Sequence, residues 1–399
     1  MCTFSQVITN QYGRPGRAAR KWGPDTIEGD LSEEELETNC RDQTIDNLAN
    51  QFLDEEYYRS KDYDMKDIKV PLLSVGNWGG ILLHLRGNVE GYMNAGSKLK
   101  YLRFVTGRHD LPFYTKECVD MQKSFLDAFL KDTDTAGWRT GKAPKVGIVL
   151  RKGDVGFNNP EAEKAYLTRF EDEWPIPGTD YTKFYLTAAR DLTKIRPANR
   201  DTTKISYQAP ADLKHQHLIQ FTTEAFKEEL EFTGHIVAHL NVSASSIDST
   251  SGPGPSDIDL FLTIRHLNSQ DKEILYTGTV GDPVPVTKGW LRVSLREVNK
   301  DSPRNHFWHP HREYRSTDQR PVIPGEIYSV DVEIWPTNVV VLPGEKLVFE
   351  ISSGDTEGAG LFEHNSAEDR SGAKLKGMNH VHFGNGHDNW LLMPVIGSR

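Results

Sequence analysis

From about residue 215 onward one pattern recurs, and it limits the possible folds more than any other feature of the 399 residues. The segments 230–242 (Leu-Glu-Phe-Thr-Gly-His-Ile-Val-Ala-His-Leu-Asn-Val), 257–264 (Asp-Ile-Asp-Leu-Phe-Leu-Thr-Ile), 289–296, 328–334 and 346–351 mostly alternate apolar and polar residues. Side chains two apart share one face of an extended strand, so each segment carries an apolar side that must be covered. Runs such as Ser-Gly-Pro-Gly-Pro at 251–255 break the pattern with turn formers. Strands of this length between Pro, Gly and Ser turns predict an antiparallel β-sandwich. Residues 145–150 and 183–186 read as bridging strands on either side of Glu173-Trp-Pro.

Upstream the period changes. Residues 1 to 60 are polar and acidic, and Leu31-Ser-Glu-Glu-Glu-Leu-Glu opens a helix whose early acids suit its positive end, as in a helical cap or lid. The run 70–76 (Val-Pro-Leu-Leu-Ser-Val-Gly) has the continuous apolar character of a buried parallel strand and exits through Asn77-Trp-Gly-Gly. A helix carrying Leu82, Leu83, Leu85, Val89 and Tyr92 leads to a second strand, 101–105, which breaks at Gly107 into a loop presenting His109. Phe113, Val119, Met121, Phe125, Leu126 and Phe129 then recur at helical spacing. The fold class is therefore α/β plus all-β. Residues 1–65 are expected to form a helical cap segment, 66–145 the carboxyl-terminal part of an α/β domain, and 146–399 a jelly-roll sandwich with its bridging strands.

A histidine on the loop after a strand is where an α/β-hydrolase holds its general base, facing a serine on a sharp turn. That serine belongs in Gly-x-Ser-x-Gly. No such pentapeptide occurs in the chain, and Gly96-Ser97-Lys98 lacks the second glycine. His84, Arg86 and Glu90 do not share one helix face, so they read as structural hydrogen-bonding groups.

The formal charge of −10 argues against broad attraction to nucleic acid or an anionic membrane. Three cysteines, Cys2, Cys40 and Cys118, make neither a disulfide framework nor a metal set. The opening Met-Cys-Thr-Phe-Ser-Gln has no charged leader followed by an apolar core, and no run reaches 18 apolar residues, so a reducing, cytoplasmic setting is expected. Asn241-Val-Ser has the glycosylation pattern but falls inside an alternating strand. Two histidine groups, His306, His309 and His311, and His380, His382 and His387, raise the alternative of a metal-binding barrel. The first group lies in a Pro-flanked loop, and no glutamate stands at the downstream spacing such a site uses. Trp290, Trp308, Trp335 and Trp390 read as packing residues rather than a sugar platform.

An ordered set of motifs completes the reading. Pro-Leu-Leu-Ser-Val-Gly-Asn-Trp-Gly-Gly (71–80), Leu-His-Leu-Arg-Gly-Asn-Val-Glu-Gly (83–91), Gln-Lys-Ser-Phe-Leu-Asp-Ala-Phe-Leu-Lys (122–131), Asp257-Ile-Asp-Leu-Phe, Trp290-Leu-Arg-Val-Ser, Pro324-Gly-Glu-Ile, Pro343-Gly-Glu-Lys-Leu, Asn379-His-Val-His and Trp390-Leu-Leu-Met-Pro-Val-Ile resemble the cocaine-esterase and X-Pro dipeptidyl-peptidase family over nearly the whole chain. The resemblance implies an α/β-hydrolase with a helical cap and a carboxyl-terminal jelly roll of galactose-binding-like topology. It implies hydrolysis of small-molecule esters, amides or X-Pro peptides by serine, aspartate and histidine, without cofactor or metal. It places His109 at the base. In many relatives the strand before the acid ends in Gly-Gly-Trp-Tyr-Asp; with Trp78 on that tryptophan, Gly80 stands at the aspartate, which leaves Glu90 as the candidate carboxylate of this chain. Relatives carry the nucleophile in a portion that would precede Met1, so the chain alone is expected to be an inactive, truncated hydrolase. Its open strand edges suggest a homo-oligomer. The alternatives are a non-catalytic remnant serving as a binding module, and a metal-dependent jelly-roll enzyme.

Overall fold

The structure, a computed structural model, describes residue 34 and residues 43–109, 111–198, 201–248, 254–360 and 362–397. Most of the helix expected at 31–37, together with Cys2 and Cys40, lies outside the described residues. The later part of the cap segment is helical, with Gln43–Ala49 (α1) and Glu56–Arg59 (α2).

The α/β part runs Leu72–Asn77 (β1), Leu85–Asn94 (α3), Lys100–Val105 (β2), Lys116–Leu130 (α4), Val146–Val149 (β3) and Thr168–Glu171 (β4). Strands β1, β2 and β3 are parallel, in the registers Ser74↔Leu102 and Leu102↔Val146, and β4 closes the sheet antiparallel to β3. Parallel neighbours need a crossover, and the two helices supply it. Leu85 and Val89 of α3 pack with Trp78, Leu102, Phe104 and Ile148, and the Trp78 and Phe104 rings stack 3.9 Å apart. On α4, capped by the Thr115 side chain, Met121, Phe125, Ala128 and Phe129 pack with Tyr101 and Trp138. One expectation is corrected here. Leu82 and Leu83 precede α3 in a turn, where Leu82 takes a φ of 62°. Strands β3 and β4 hydrogen-bond into the first sheet, and the chain passes to the second sheet between residues 171 and 180, through the segment containing Glu173-Trp-Pro.

The remaining strands form a 12-stranded system. It opens with Asp180–Leu186 (β5), Leu192–Thr193 (β6), Thr203–Ala209 (β7) and Leu218–Thr222 (β8). Leu230–Ser245 (β9), Asp259–Leu267 (β10) and Glu273–Ile274 (β11) follow, then a small separate hairpin of Tyr276–Thr277 (β12) and Pro283–Val284 (β13). The last members are Thr287–Arg292 (β14), Tyr328–Val341 (β15), Lys346–Ser352 (β16), Gly377–Phe383 (β17) and Asn389–Ile396 (β18). The main order is β6-β5-β18-β9-β15-β14-β10-β16-β8, with β17 pairing β7 and β9. Long β9 pairs β18 along its first half and β17 along its second, so it turns the corner between layers. Phe221, Phe232, Leu240, Leu262, Val332, Phe349 and Ile351 belong to the buried core that results.

Strands this long need bends, and the sequence places them. Pro336 and Pro394 fall where the pairing of β15 and of β18 with β9 shifts register, at the irregularities where a strand tolerates a missing N–H donor. Gly234 of β9 faces both, with φ 146°, and a Cβ there would lie 2.9 Å from the Pro394 Cβ. Ile396 of β18 and Trp335 of β15 pack into the cluster built on Trp78 and Trp174, so sandwich and α/β sheet share a core. Arg151, 1% exposed, reaches from the end of β3 into the sandwich and donates to the Asn338 and Val286 carbonyls and to the Thr337 hydroxyl.

Candidate functional site

Parallel strands end together, and the side chains at their carboxyl ends line a common crevice. Asn77, at the end of β1, uses its side chain to organise that crevice. Its amide donates to the Gly107 carbonyl at 2.8 Å and to the Arg108 carbonyl at 3.3 Å, while its oxygen accepts the Gly79 N–H at 2.8 Å. Gly107 turns the chain with φ 93°. The His109 backbone N–H then donates 2.9 Å to the carbonyl of Thr279, next to the β12–β13 hairpin. The histidine loop is thus held by β1 on one side and by the sandwich on the other, and the imidazole is exposed at its tip.

His109 opens onto a cavity of about 230 Å³ lined by Asn77, Gly80, His84, Cys118, Met121 and Gln122, among others. The His84 ring lies 4.9 Å from the His109 ring, centroid to centroid, and burial together with the neighbouring imidazole lowers the His84 pKa. Of the residues singled out from sequence, His109 and Gly80 come together at this cavity. Gly80 leaves its position without a carboxylate, and a Cβ there would stand 3.1 Å from the Asn77 carbonyl oxygen.

Glu90 is not brought to His109. It lies on the opposite aspect of α3, is not among the residues lining the cavity, and points into the junction with the sandwich. There Oε2 accepts from Arg304 at 2.8 Å and from the Asn94 amide at 3.1 Å. Its Oε1 lies 3.1 Å from His309 Nε2, which is also 3.4 Å from Glu333 Oε1, without the alignment of a hydrogen bond to either. Arg86 makes a two-pronged pair with Glu333, at 2.7 and 2.9 Å. Burial would raise the Glu333 pKa, but Arg86 and His309 outweigh it and hold the carboxyl well below its ordinary range. Burial opposes protonation of His309, but the Glu333 and Glu90 carboxylates outweigh it and raise the imidazole pKa. Arg86 and Glu90, four apart on α3, thus meet in one cluster with His309 and Glu333.

The two histidine groups considered for metal do other work. His306 stacks on Trp308 at 4.5 Å. His380 bridges the Ser206 and Ser245 hydroxyls at 2.6 and 2.9 Å, and His382 meets the Ser243 hydroxyl at 2.8 Å. Among the described residues no group of three His, Cys, Asp or Glu is arranged to hold a metal ion, and no helix is long and apolar enough to cross a membrane. Sequence reasoning missed Asn77 as the pin of the loop and His84 as a cavity wall. The signal for the first was an amide side chain at the last position of a buried strand.

A parallel sheet with crossover helices, a histidine at the carboxyl end of a strand and a following jelly-roll sandwich define an α/β-hydrolase architecture with its carboxyl-terminal β-domain. Residues 137–392 match the X-Pro dipeptidyl-peptidase C-terminal non-catalytic domain. The chain belongs to the cocaine-esterase and X-Pro dipeptidyl-peptidase family of hydrolases. It is 22% identical over 322 residues to a cocaine esterase from Rhodococcus sp., a match covering 70% of this chain and 46% of that protein. It is 25% identical over 236 residues to a putative serine esterase from Mycobacterium tuberculosis, covering 52% of this chain and 34% of that protein. The matched segments thus span less than half the length of these relatives. A CocE/NonD family hydrolase from Staphylococcus aureus superposes with a TM-score of 0.76 at 23% identity, over 90% of this chain and 60% of that one. An α-amino acid ester hydrolase gives a TM-score of 0.63 at 15% identity, over 98% of this chain and 69% of that one.

Proposed function

We propose that this chain supplies the base-bearing part of a serine hydrolase acting on esters, amides or X-Pro peptides, with His109 as the general base. The observation that carries the reading is the held pose of His109, tied through its own N–H to Thr279 and through its loop to Asn77, with the imidazole opening onto a preformed cavity. In such a reaction the imidazole takes the serine proton as the hydroxyl attacks the carbonyl carbon and returns it to the leaving group. The serine would enter on a segment carrying Gly-x-Ser-x-Gly, which this chain does not contain. Glu90 is engaged with Arg304, so the third member of such a triad would come with the same segment.

A second reading is favoured by Gly80, which leaves the cavity without an acid at the position the resemblance assigns: the chain then serves as a binding module. Both are tested together. The 399-residue chain should not be labelled by a fluorophosphonate, which needs an activated nucleophile. Supplied with the nucleophile-bearing segment of a relative, in cis or in trans, it should hydrolyse an activated ester, and His109→Ala should lower the rate by about 10³-fold or more. Full turnover by His109→Ala would remove His109 from the mechanism, and failure of every complemented form to turn over would favour the binding module.

A further inference from the structure

A second cleft, of about 740 Å³, lies between the cap segment and the loop before β15, and shares no lining residue with the His109 cavity. Arg59 and Lys61 stand on its cap side, and Arg304, Arg312 and Arg315 on the other. In a chain of formal charge −10 this concentration of cations needs a reason. Of the three carboxylates of the lining only Glu313 answers one of these cations, Arg315, and Glu90 outside the lining answers Arg304, which leaves Arg59, Lys61 and Arg312. Asp54 receives the Ser316 N–H at 2.8 Å and its hydroxyl at 2.6 Å. Glu313 pairs with Arg315 at 2.6 Å and accepts from Asn299 at 3.1 Å, and Asp62 is exposed at the rim.

Arg312 is the decisive group. Only 7% exposed, it has no carboxylate within salt-bridge distance among the described residues. Its guanidinium donates to the backbone carbonyls of Arg296 and Asp331, and its buried Nε has no partner. Burial lowers its pKa, and the Asp331 and Glu333 charges oppose that only from a distance, without a direct ion pair; a buried cation left so is costly to keep, and a planar guanidinium is suited to a two-pronged oxyanion. Burial lowers the pKa of His311, also in the lining, and the Arg304 charge lowers it further, as an electropositive cleft requires.

We propose that this cleft binds a compact oxyanion, a phosphate monoester or a carboxylate, seated on Arg312 and closed over by Arg59 and Lys61. The buried guanidinium orients the ligand, and the two exposed cations from the cap draw the cap segment onto it. The site is independent of the His109 reaction.

Calorimetric titration of the full chain at low ionic strength with inorganic phosphate, and separately with citrate, tests the assignment. The expected result is saturable one-to-one binding of at least one anion, weakened about tenfold or more by Arg59→Glu and by Lys61→Glu, both surface changes that leave the melting temperature of the free chain in place. Preference for phosphate identifies a phosphate ester as the ligand class, and preference for citrate a carboxylate. Arg312→Met, if folded, should abolish binding of both. Absence of saturable heat with either anion, or binding unchanged in Arg59→Glu and Lys61→Glu, would overturn the proposal.

Discussion

His235 and His309 have ring centroids 5.4 Å apart, yet their pKa values are shifted in opposite directions. The Trp174 indole N–H donates to His235 Nε2 at 3.1 Å, so that nitrogen is an acceptor and the proton sits on Nδ1. Burial and the neighbouring His309 push the His235 pKa down to about 3. The stability it contributes is therefore complete above its unfolded pKa and is lost as the pH falls toward the folded one. His309, with its pKa raised beside Glu333 and Glu90, contributes in the other direction: fully below about 6.5, and less as the pH rises through its folded value. His309→Gln should consequently destabilise the chain more at pH 5.5 than at pH 8.5 in urea titrations. An equal loss at both would mean that the proton on His309 is not what the cluster uses. The contrast also shows how far a site can be read from sequence. Gly107 breaking an apolar run was enough to expose His109 as a loop residue, because that signal is local. The Asn77 bonds to Gly107 and Arg108 span some thirty residues, and the His109 bond to Thr279 reaches the distant β12–β13 turn; no periodicity records such partners.

At the scale of elements, alternation located the long strands, but proline concealed their length. The reading of 328–334 stopped at Trp335-Pro336, whereas β15 continues to Val341 because Pro336 occupies a shift in register. Helical spacing located α4 and misjudged its faces. Met121, Phe125 and Phe129 pack inward, while Val119, Leu126 and Leu130 of the helix and Phe113 before it remain exposed. An exposed apolar face beside a cavity favours association when left uncovered, and among the described residues β1 beside it pairs with β2 alone. The chain is therefore expected to self-associate. Leu126→Lys with Leu130→Glu should shift sedimentation at micromolar concentration toward monomer while helix content stays constant. Unchanged association in the double variant would place the contact elsewhere.

For the whole molecule, the composition of the shared core decides how it unfolds. An alternating sandwich needs only itself to bury its apolar faces, so the sequence suggests two independent units. Ile396, Trp335 and Arg151 tie them together. Scanning calorimetry should show one cooperative transition, and Arg151→Met should cost about 3 kcal/mol or more, since it removes several charge-assisted hydrogen bonds to the Asn338 and Val286 carbonyls and the Thr337 hydroxyl. Two separated transitions in the unaltered chain would show that the shared core does not couple the parts.

Arg151 has a further consequence, for the chain while it is being made. Its partners at Val286, Thr337 and Asn338 lie 135 to 187 residues later, so its guanidinium emerges long before the pocket that receives it. Until those strands are synthesised, the end of β3 presents an unreceived cation to solvent or to chaperones. Docking of Arg151 must wait until residues 286 to 338 have been made, and a ribosome stall before residue 338 would leave the end of β3 without its partners.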